Sequence, residues 1–135
     1  MRLIIPSFLQ PVSEERHGNN EINLVVPVPL FTDRLQERGY NQSQLLSQLV
    51  AETLHISGST EWLARIRGTR QQARLSQSER HLNVKDAFSA SARVSGLSVL
   101  LIDDVVTTGS TLRECAGALR EKGASAVFAL TVSHS

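Results

Sequence analysis

Residues Val99–Arg120 read VLLIDDVVTTGSTLRECAGALR. Leu97–Ile102, behind Gly96, ends in four unbroken apolar residues, Val99–Ile102, the pattern of a strand buried on both faces. Asp103 and Asp104 follow at its carboxyl end. The tract VVTTGST leads into a helix whose inward face is Leu112, Cys115, Ala116 and Leu119, with Gly123 as its C-terminal stop. A strand covered on both faces implies a parallel sheet flanked by helices, and such sheets bind ligands at the carboxyl ends of their strands. The two aspartates stand at such an end, where the open rim lets them stay ionised.

Working outward, Ile22–Val28 (INLVVPV) is a second buried strand, closed by Pro27 and Pro29. Asn41 sits where an N-cap belongs, with Gln44 three positions on. Leu45, Leu46, Leu49, Val50 and Leu54 then fall at helical spacing and predict the inward stripe of a first helix that ends by Gly58. Glu61–Ile66 is a weaker strand. Arg67–Phe88 is a long polar loop with room for a short helix near Leu75–Leu82. Ala126–Val132 is the last strand. Taken in chain order, these four strands predict a sheet ordered 2-1-3-4, a mostly parallel α/β domain over residues 1–135 in which 1–21 stay unassigned.

Composition narrows the classes. The chain has 135 residues, a net charge of +1 and one cysteine, Cys115. No internal disulfide or cysteine-based zinc cage is open to it, and a reducing, cytoplasmic address is the simplest expectation. No apolar run approaches a membrane span, and the near-neutral charge argues against a general polyanion binder. Cys115 lies on the apolar helix face and reads as packed rather than reactive. The four histidines lack ligand spacing.

The chemistry is concentrated after Ile102. Asp103 and Asp104 can accept hydrogen bonds from a sugar diol or ligate a hard cation. The turn behind them meets a helix N-terminus, where free N–H groups and the helix dipole favour an anion. Gly109 permits close approach, and Thr107, Thr108, Ser110 and Thr111 add hydroxyls. A diol site beside a phosphate site describes a ribose 5-phosphate. Two competing readings are weaker. A Walker B strand lacks its partner, since no GxxxxGK[ST] is present. A receiver domain would place its acids on the first strand and a lysine at a later strand end.

VLLIDDVVTTGST also resembles the thirteen-residue signature of type I phosphoribosyltransferases, which bind 5-phosphoribosyl 1-diphosphate (PRPP). The resemblance assigns Asp103 and Asp104 to the ribose hydroxyls as the catalytic pair, and Val106, Thr107, Thr108, Gly109, Ser110 and Thr111 to the 5′-phosphate. PVPL (Pro27–Leu30), RLQERGYNQ (Arg34–Gln42) and RGTRQQARLSQSERHLNVKDAF (Arg67–Phe88) resemble, in order, blocks of the ComF/GntX family. That family is linked to competence and DNA uptake or to gluconate utilisation. The likeness places diphosphate at Arg38, Gly39, Tyr40 and Asn41. On the residues alone, Arg34 and Arg38 can equally pair with Asp33 and Glu37. Many members begin with a four-cysteine zinc module, for which this sequence has no cysteines.

Arg65–Lys85 carries Arg65, Arg67, Arg70, Arg74, Arg80 and Lys85 against Glu79. The resemblance implies a flexible flap in which Arg67, Arg70 and Arg74 close over diphosphate. A solvated surface segment and a DNA-phosphate strip are the alternatives; the absence of aromatics over Gln71–Ala87 disfavours base stacking. Implied throughout is Mg²⁺-dependent pentosyl transfer from PRPP, the metal held mainly by PRPP, with Asp103 and Asp104 as its candidate protein ligands. The competing class is a PRPP- or nucleotide-responsive binding module of the DNA-uptake machinery, partnered by competence proteins and without turnover.

Overall fold

The computed structural model describes residues 2–4, 21–30, 41–66, 87–106 and 108–134. Its elements are β1 (Arg2–Ile4), β2 (Leu24–Pro27), α1 (Gln42–Leu54), β3 (Ser57–Gly58), β4 (Leu63–Arg65), β5 (Phe88–Ala90), a 3-10 turn (Ala92–Val94), β6 (Ser98–Val106), α2 (Ser110–Glu121) and β7 (Ala126–His134). Five strands form one sheet in the order β1-β7-β6-β2-β3, every neighbouring pair parallel.

Alternation along the strands builds a core on each face. On one face Val25, Leu100 and Ile102 pack with Ala51 of α1, flanked by Leu46, Val50, Phe128 and Leu130. On the other, Leu24, Val26, Val99, Leu101, Val127 and Ala129 pack with Leu112, Cys115 and Leu119 of α2 and with Leu63, Phe88 and Ala90. Each fully buried Leu or Val contributes roughly 1.5–3 kcal/mol, so the paired cores hold the sheet between its helices.

The expected order 2-1-3-4 is right for the first, third and fourth strands and needs one correction. Glu61–Ile66 does not join the main sheet. Its residues Leu63–Arg65 pair antiparallel with Phe88–Ala90 in a separate ribbon. The strand beside β2 is Ser57–Gly58, too short and too polar to carry a pattern. It covers only Leu24 and Val25, so Pro27, lacking an N–H, loses no partner on that side. β1 adds a parallel edge strand beside β7, inside the unassigned N-terminal stretch.

The first helix is rotated from its expected phase. Ser43, Ser47 and Ala51 are its buried residues, while Leu45, Leu49 and Leu54 are exposed. Gly58 explains this: a Cβ placed there would lie 3.2 Å from the Ala51 Cβ. α1 therefore lies so close to the edge strand that only small side chains fit beneath it. It stops at Leu54, with His55 in the left-handed conformation (φ 55°) as its cap, earlier than Gly58. α2 ends as expected, Gly123 at φ +93° donating to the Arg120 carbonyl.

Candidate functional site

β2 leads through α1 to β3 on one side, and β6 leads through α2 to β7 on the other. The two helices lie on opposite faces, so the sheet order switches between β2 and β6. A crevice opens at such a switch point, at the carboxyl ends of the strands. The β2–β6 ladder ends where the Val28 N–H donates to the Ile102 carbonyl at 2.8 Å. β6 itself continues through Val106 against β7, with Asp103 opposite Thr131. The acid pair thus lies within β6 rather than beyond it, at the level where its β2 side becomes free.

Asp103 and Asp104 are both half-buried. The Asp104 N–H donates to Asp103 Oδ1 at 2.9 Å, and the Ser43 hydroxyl donates to the same oxygen at 3.3 Å. Burial pushes the Asp103 carboxyl up from its ordinary 3.8 to about 7, helped by the charge of Asp104 and by a carboxyl–carboxyl hydrogen bond; the two donors to Oδ1 pull it partly back. Near neutral pH the Asp103 carboxyl is therefore about half protonated.

The turn after β6 places its glycine and hydroxyls at the start of α2. Gly109 adopts φ +80° at the N-cap of α2 and supplies no side-chain cap, a conformation that glycine reaches without strain. The Thr108 and Ser110 hydroxyls lie 2.9 Å apart, and the Ser110 N–H donates to Thr108 Oγ1 at 3.3 Å. The Arg113 guanidinium stands over the turn, its Nη2 3.6 Å from where a Gly109 Cβ would be. At the other helix, Asn41 caps α1 as expected: its Oδ1 accepts from the Ser43 and Gln44 N–H groups, and its Nδ2 donates to the Val28 carbonyl at 3.3 Å.

Comparison with known proteins gives this geometry a family. The model of the phosphoribosyl transferase domain matches residues 20–134. The chain belongs to the phosphoribosyl transferase family. Within it, the chain is of the ComF type. It is 44% identical over 103 residues to the DNA utilization protein YhgH of Escherichia coli, covering 76% of this chain and 45% of that protein. It is 41% identical to competence protein F of Haemophilus influenzae over 73% of this chain and 44% of the relative. To competence protein ComFC of Bacillus subtilis it is 34% identical, over 83% and 45% respectively. The chain thus spans about half the length of the curated relatives it matches. Among solved structures, glutamine PRPP amidotransferase from B. subtilis, complexed with ADP and GMP, superposes with a TM-score of 0.52 at 26% identity, over 82% of this chain and 22% of that one. The allosteric regulatory enzyme of purine biosynthesis superposes at 0.54, also at 26% identity and with the same coverage.

In this ComF-type chain the structure brings together Asp103, Asp104, Thr108, Gly109, Ser110 and Thr111 along one strand–turn–helix unit. Of Val106 only the backbone, in β6, is described. Thr107, the diphosphate candidates Arg38, Gly39 and Tyr40, and the loop residues Arg67, Arg70 and Arg74 lie outside the described residues, as does the possible helix near Leu75–Leu82. The base of that loop is described: the Ile66 N–H donates to the Ala87 carbonyl at 2.7 Å, and the Arg65 guanidinium stacks 5.3 Å from the Phe88 ring centroid. Leu63, Phe88 and Ala90 share a core with Leu112, Cys115 and Leu119, so the ribbon at the base of the loop packs on the α2 face of the sheet. Cys115 is fully buried, and burial raises its thiol well above the usual range, which keeps it protonated and inert.

Three site residues escaped sequence reasoning. Ser43 sat between expected core positions. Arg113 is an ordinary exposed helix residue in sequence. Thr131 interrupts an apolar strand; it is 1% exposed and its Oγ1 has no hydrogen-bond partner, directly across the ladder from Asp103. A polar interruption in a buried strand, opposite an acid pair, is the one signal that sequence offered for it.

Proposed function

We propose that the chain binds PRPP, or a closely related ribose phosphate, in the β2–β6 crevice and transfers its pentosyl group. The carrying observation is one unit, β6–turn–α2, in which two adjacent half-buried carboxyls precede an N-terminus capped only by a left-handed glycine. Asp103 and Asp104 hold the ribose hydroxyls. The amides and hydroxyls of 108–111, with Arg113 above them, hold the 5′-phosphate.

Mg²⁺ fits this donor set in a restricted way. Among the described residues no cluster of three or more His, Cys, Asp or Glu is present, so the described part of the crevice offers the two aspartates. That suits a cation which keeps waters and takes its remaining oxygens from a phosphorylated substrate. When bound, it would neutralise the charge of the departing diphosphate. As the C1–diphosphate bond breaks, the electron pair leaves with diphosphate and the acceptor's lone pair forms the new bond to C1. Asp103 and Asp104 keep the sugar oriented and favour the positive charge developing on its ring. The loop spanning 67–86, rooted on the β4/β5 ribbon, supplies Arg67, Arg70 and Arg74 to cover the leaving group, and Arg38–Asn41 flank it from the β2 side.

The names of the relatives, a DNA utilization protein and competence proteins, support a role in DNA utilisation and competence; a cytoplasmic address and competence proteins as partners belong to the same proposal. Among the described residues no helix is long and apolar enough to cross a membrane. The test is calorimetric titration with PRPP–Mg²⁺, followed by measurement of diphosphate release with candidate bases, ammonia and DNA as acceptors. Saturable binding with release supports transfer. Binding without release from any acceptor moves the chain to the sensing role, and no binding at all contradicts the site.

A further inference from the structure

Ser43 is the one residue outside the β6–turn–α2 unit that a described hydrogen bond joins to the acid pair. It is 4% exposed and occupies the first turn of α1. Its backbone N–H is held by Asn41 Oδ1 at 3.0 Å, and Asn41 is itself held to the Val28 carbonyl at the end of β2. Its hydroxyl donates across the crevice to Asp103 Oδ1. A chain of three hydrogen bonds therefore runs from the end of β2, through the cap of α1, to the acid pair on β6. Oδ1 also accepts from the Asp104 N–H. With two donors fixed on one oxygen, the plane of the carboxyl is set.

The phase of α1 supports this reading. The helix turns Ser43 and Ser47 to the sheet and leaves Leu45 and Leu49 exposed. Close packing against Gly58 explains small residues at 47 and 51, but alanine would serve at 43 for packing alone. The hydroxyl at 43 has a partner, and that partner is Asp103.

We propose that Ser43 is a positioning residue: it orients the Asp103 carboxyl for the ribose hydroxyls and ties the β2–α1 half of the crevice to the β6–α2 half. The proposal rests on the ribose-phosphate reading above, and the test separates the two. PRPP–Mg²⁺ is titrated calorimetrically into the wild-type chain, Ser43→Ala, Asp103→Asn and the double variant, with thermal unfolding as a folding control; alanine is a good helix former, so Ser43→Ala keeps α1. Ser43→Ala is expected to weaken binding about three- to ten-fold, the net scale of one ordinary hydrogen bond. In the Asp103→Asn background the same change has little further effect, because the group it positions is already altered. Ser43→Thr, which keeps the hydroxyl, recovers at least half of the loss on a logarithmic scale, a rescue that a mere packing role would not give. Wild-type affinity in Ser43→Ala, or an equal loss in both backgrounds, overturns the positioning role and leaves the ribose-phosphate reading standing. Failure of the wild-type chain to bind PRPP–Mg²⁺ overturns that reading and the positioning role with it.

Discussion

Two helix N-termini face the same crevice and are finished in opposite ways. α1 is closed by its own side chain: Asn41 Oδ1 takes the Ser43 and Gln44 amides. α2 begins at Gly109, which has no side chain to offer, and Thr108 reaches only the Ser110 amide, at 3.3 Å. Both ends carry the same dipole, but the cap residue of α1 takes two amides with its own side chain, whereas the cap residue of α2 takes none. The difference is that between a helix start closed by its cap and one whose cap glycine allows close approach of an anion. On the proposed function the two halves do different work: the β6–α2 half meets the ligand, while the described part of the β2–α1 half fixes the geometry of the acids.

The largest expected effect breaks the ligand half directly. Asp103→Asn should cost PRPP–Mg²⁺ binding about 10- to 100-fold, the value of a charge-assisted hydrogen bond, read by calorimetry. The same variant should be more stable than wild type against urea at pH 8, by roughly 1–3 kcal/mol, because a desolvated carboxyl beside another is removed. The sign follows from its raised pKa. Between about pH 4 and 7 the folded chain holds a proton on Asp103 that the unfolded chain releases, so wild-type stability declines across that window and levels off above it. The stability gap between variant and wild type should therefore open from pH 4 to 7 and then stay constant.

Ligand binding should run the other way with pH. A proton on Asp103 competes with the sugar hydroxyls that need it as acceptor, so PRPP–Mg²⁺ affinity should rise about ten-fold from pH 6 to 8, with proton release visible in buffers of different ionisation enthalpy. Besides burial, the groups that set this behaviour are Asp104 on β6 and Ser43 on α1.

The comparison sharpens when each N-terminus is altered in turn. Gly109→Ala should weaken ribose 5-phosphate binding several-fold and cost about 1 kcal/mol of stability, since φ +80° is strained for any residue with a Cβ. Asn41→Ala should cost a similar ~1 kcal/mol of stability while leaving ribose 5-phosphate affinity within two- to three-fold, at most the share that Asn41 exerts through Ser43. If the two variants exchange behaviours, the division of labour is wrong. The smallest effect expected is at Thr131→Val, which removes a buried hydroxyl without a partner and should stabilise the fold by about 1 kcal/mol.

Much of this was legible in sequence for local reasons. Asn41 announced a cap, Gly123 a helix stop, and Leu97–Ile102 a buried strand, because each depends on a few adjacent residues. The acid pair and the glycine turn were legible for the same reason, being contiguous. What stayed hidden depends on tertiary approach. The phase of α1 follows from the closeness of Ala51 to Gly58: Leu46 and Val50 of the expected stripe reach the core, while Leu45, Leu49 and Leu54 do not. Ser57–Gly58 pairs as a strand because β2 offers an open edge, not because its residues favour one. Phe88–Ala90 was not read as a strand, Phe88 being taken as the end of the polar loop, since three residues of which one is serine show no period; its partner Leu63–Arg65 is distant in sequence. Ser43 gained its role from a strand sixty residues away.

The central claim, that the β6–α2 half is a ribose 5-phosphate site, is tested most directly by amide chemical shifts of the labelled chain titrated with ribose 5-phosphate and, in parallel, with 2-deoxyribose 5-phosphate. The account predicts saturable shifts at Gly109, Ser110 and Thr111 with both sugars, tighter binding and added shifts at Asp103 and Asp104 with the ribose form, and unmoved amides at Gln44 and Leu45. Equal affinity for the two sugars would remove the diol role of the acid pair. Saturable shifts confined to α1, or none at Gly109–Thr111, would contradict the site itself.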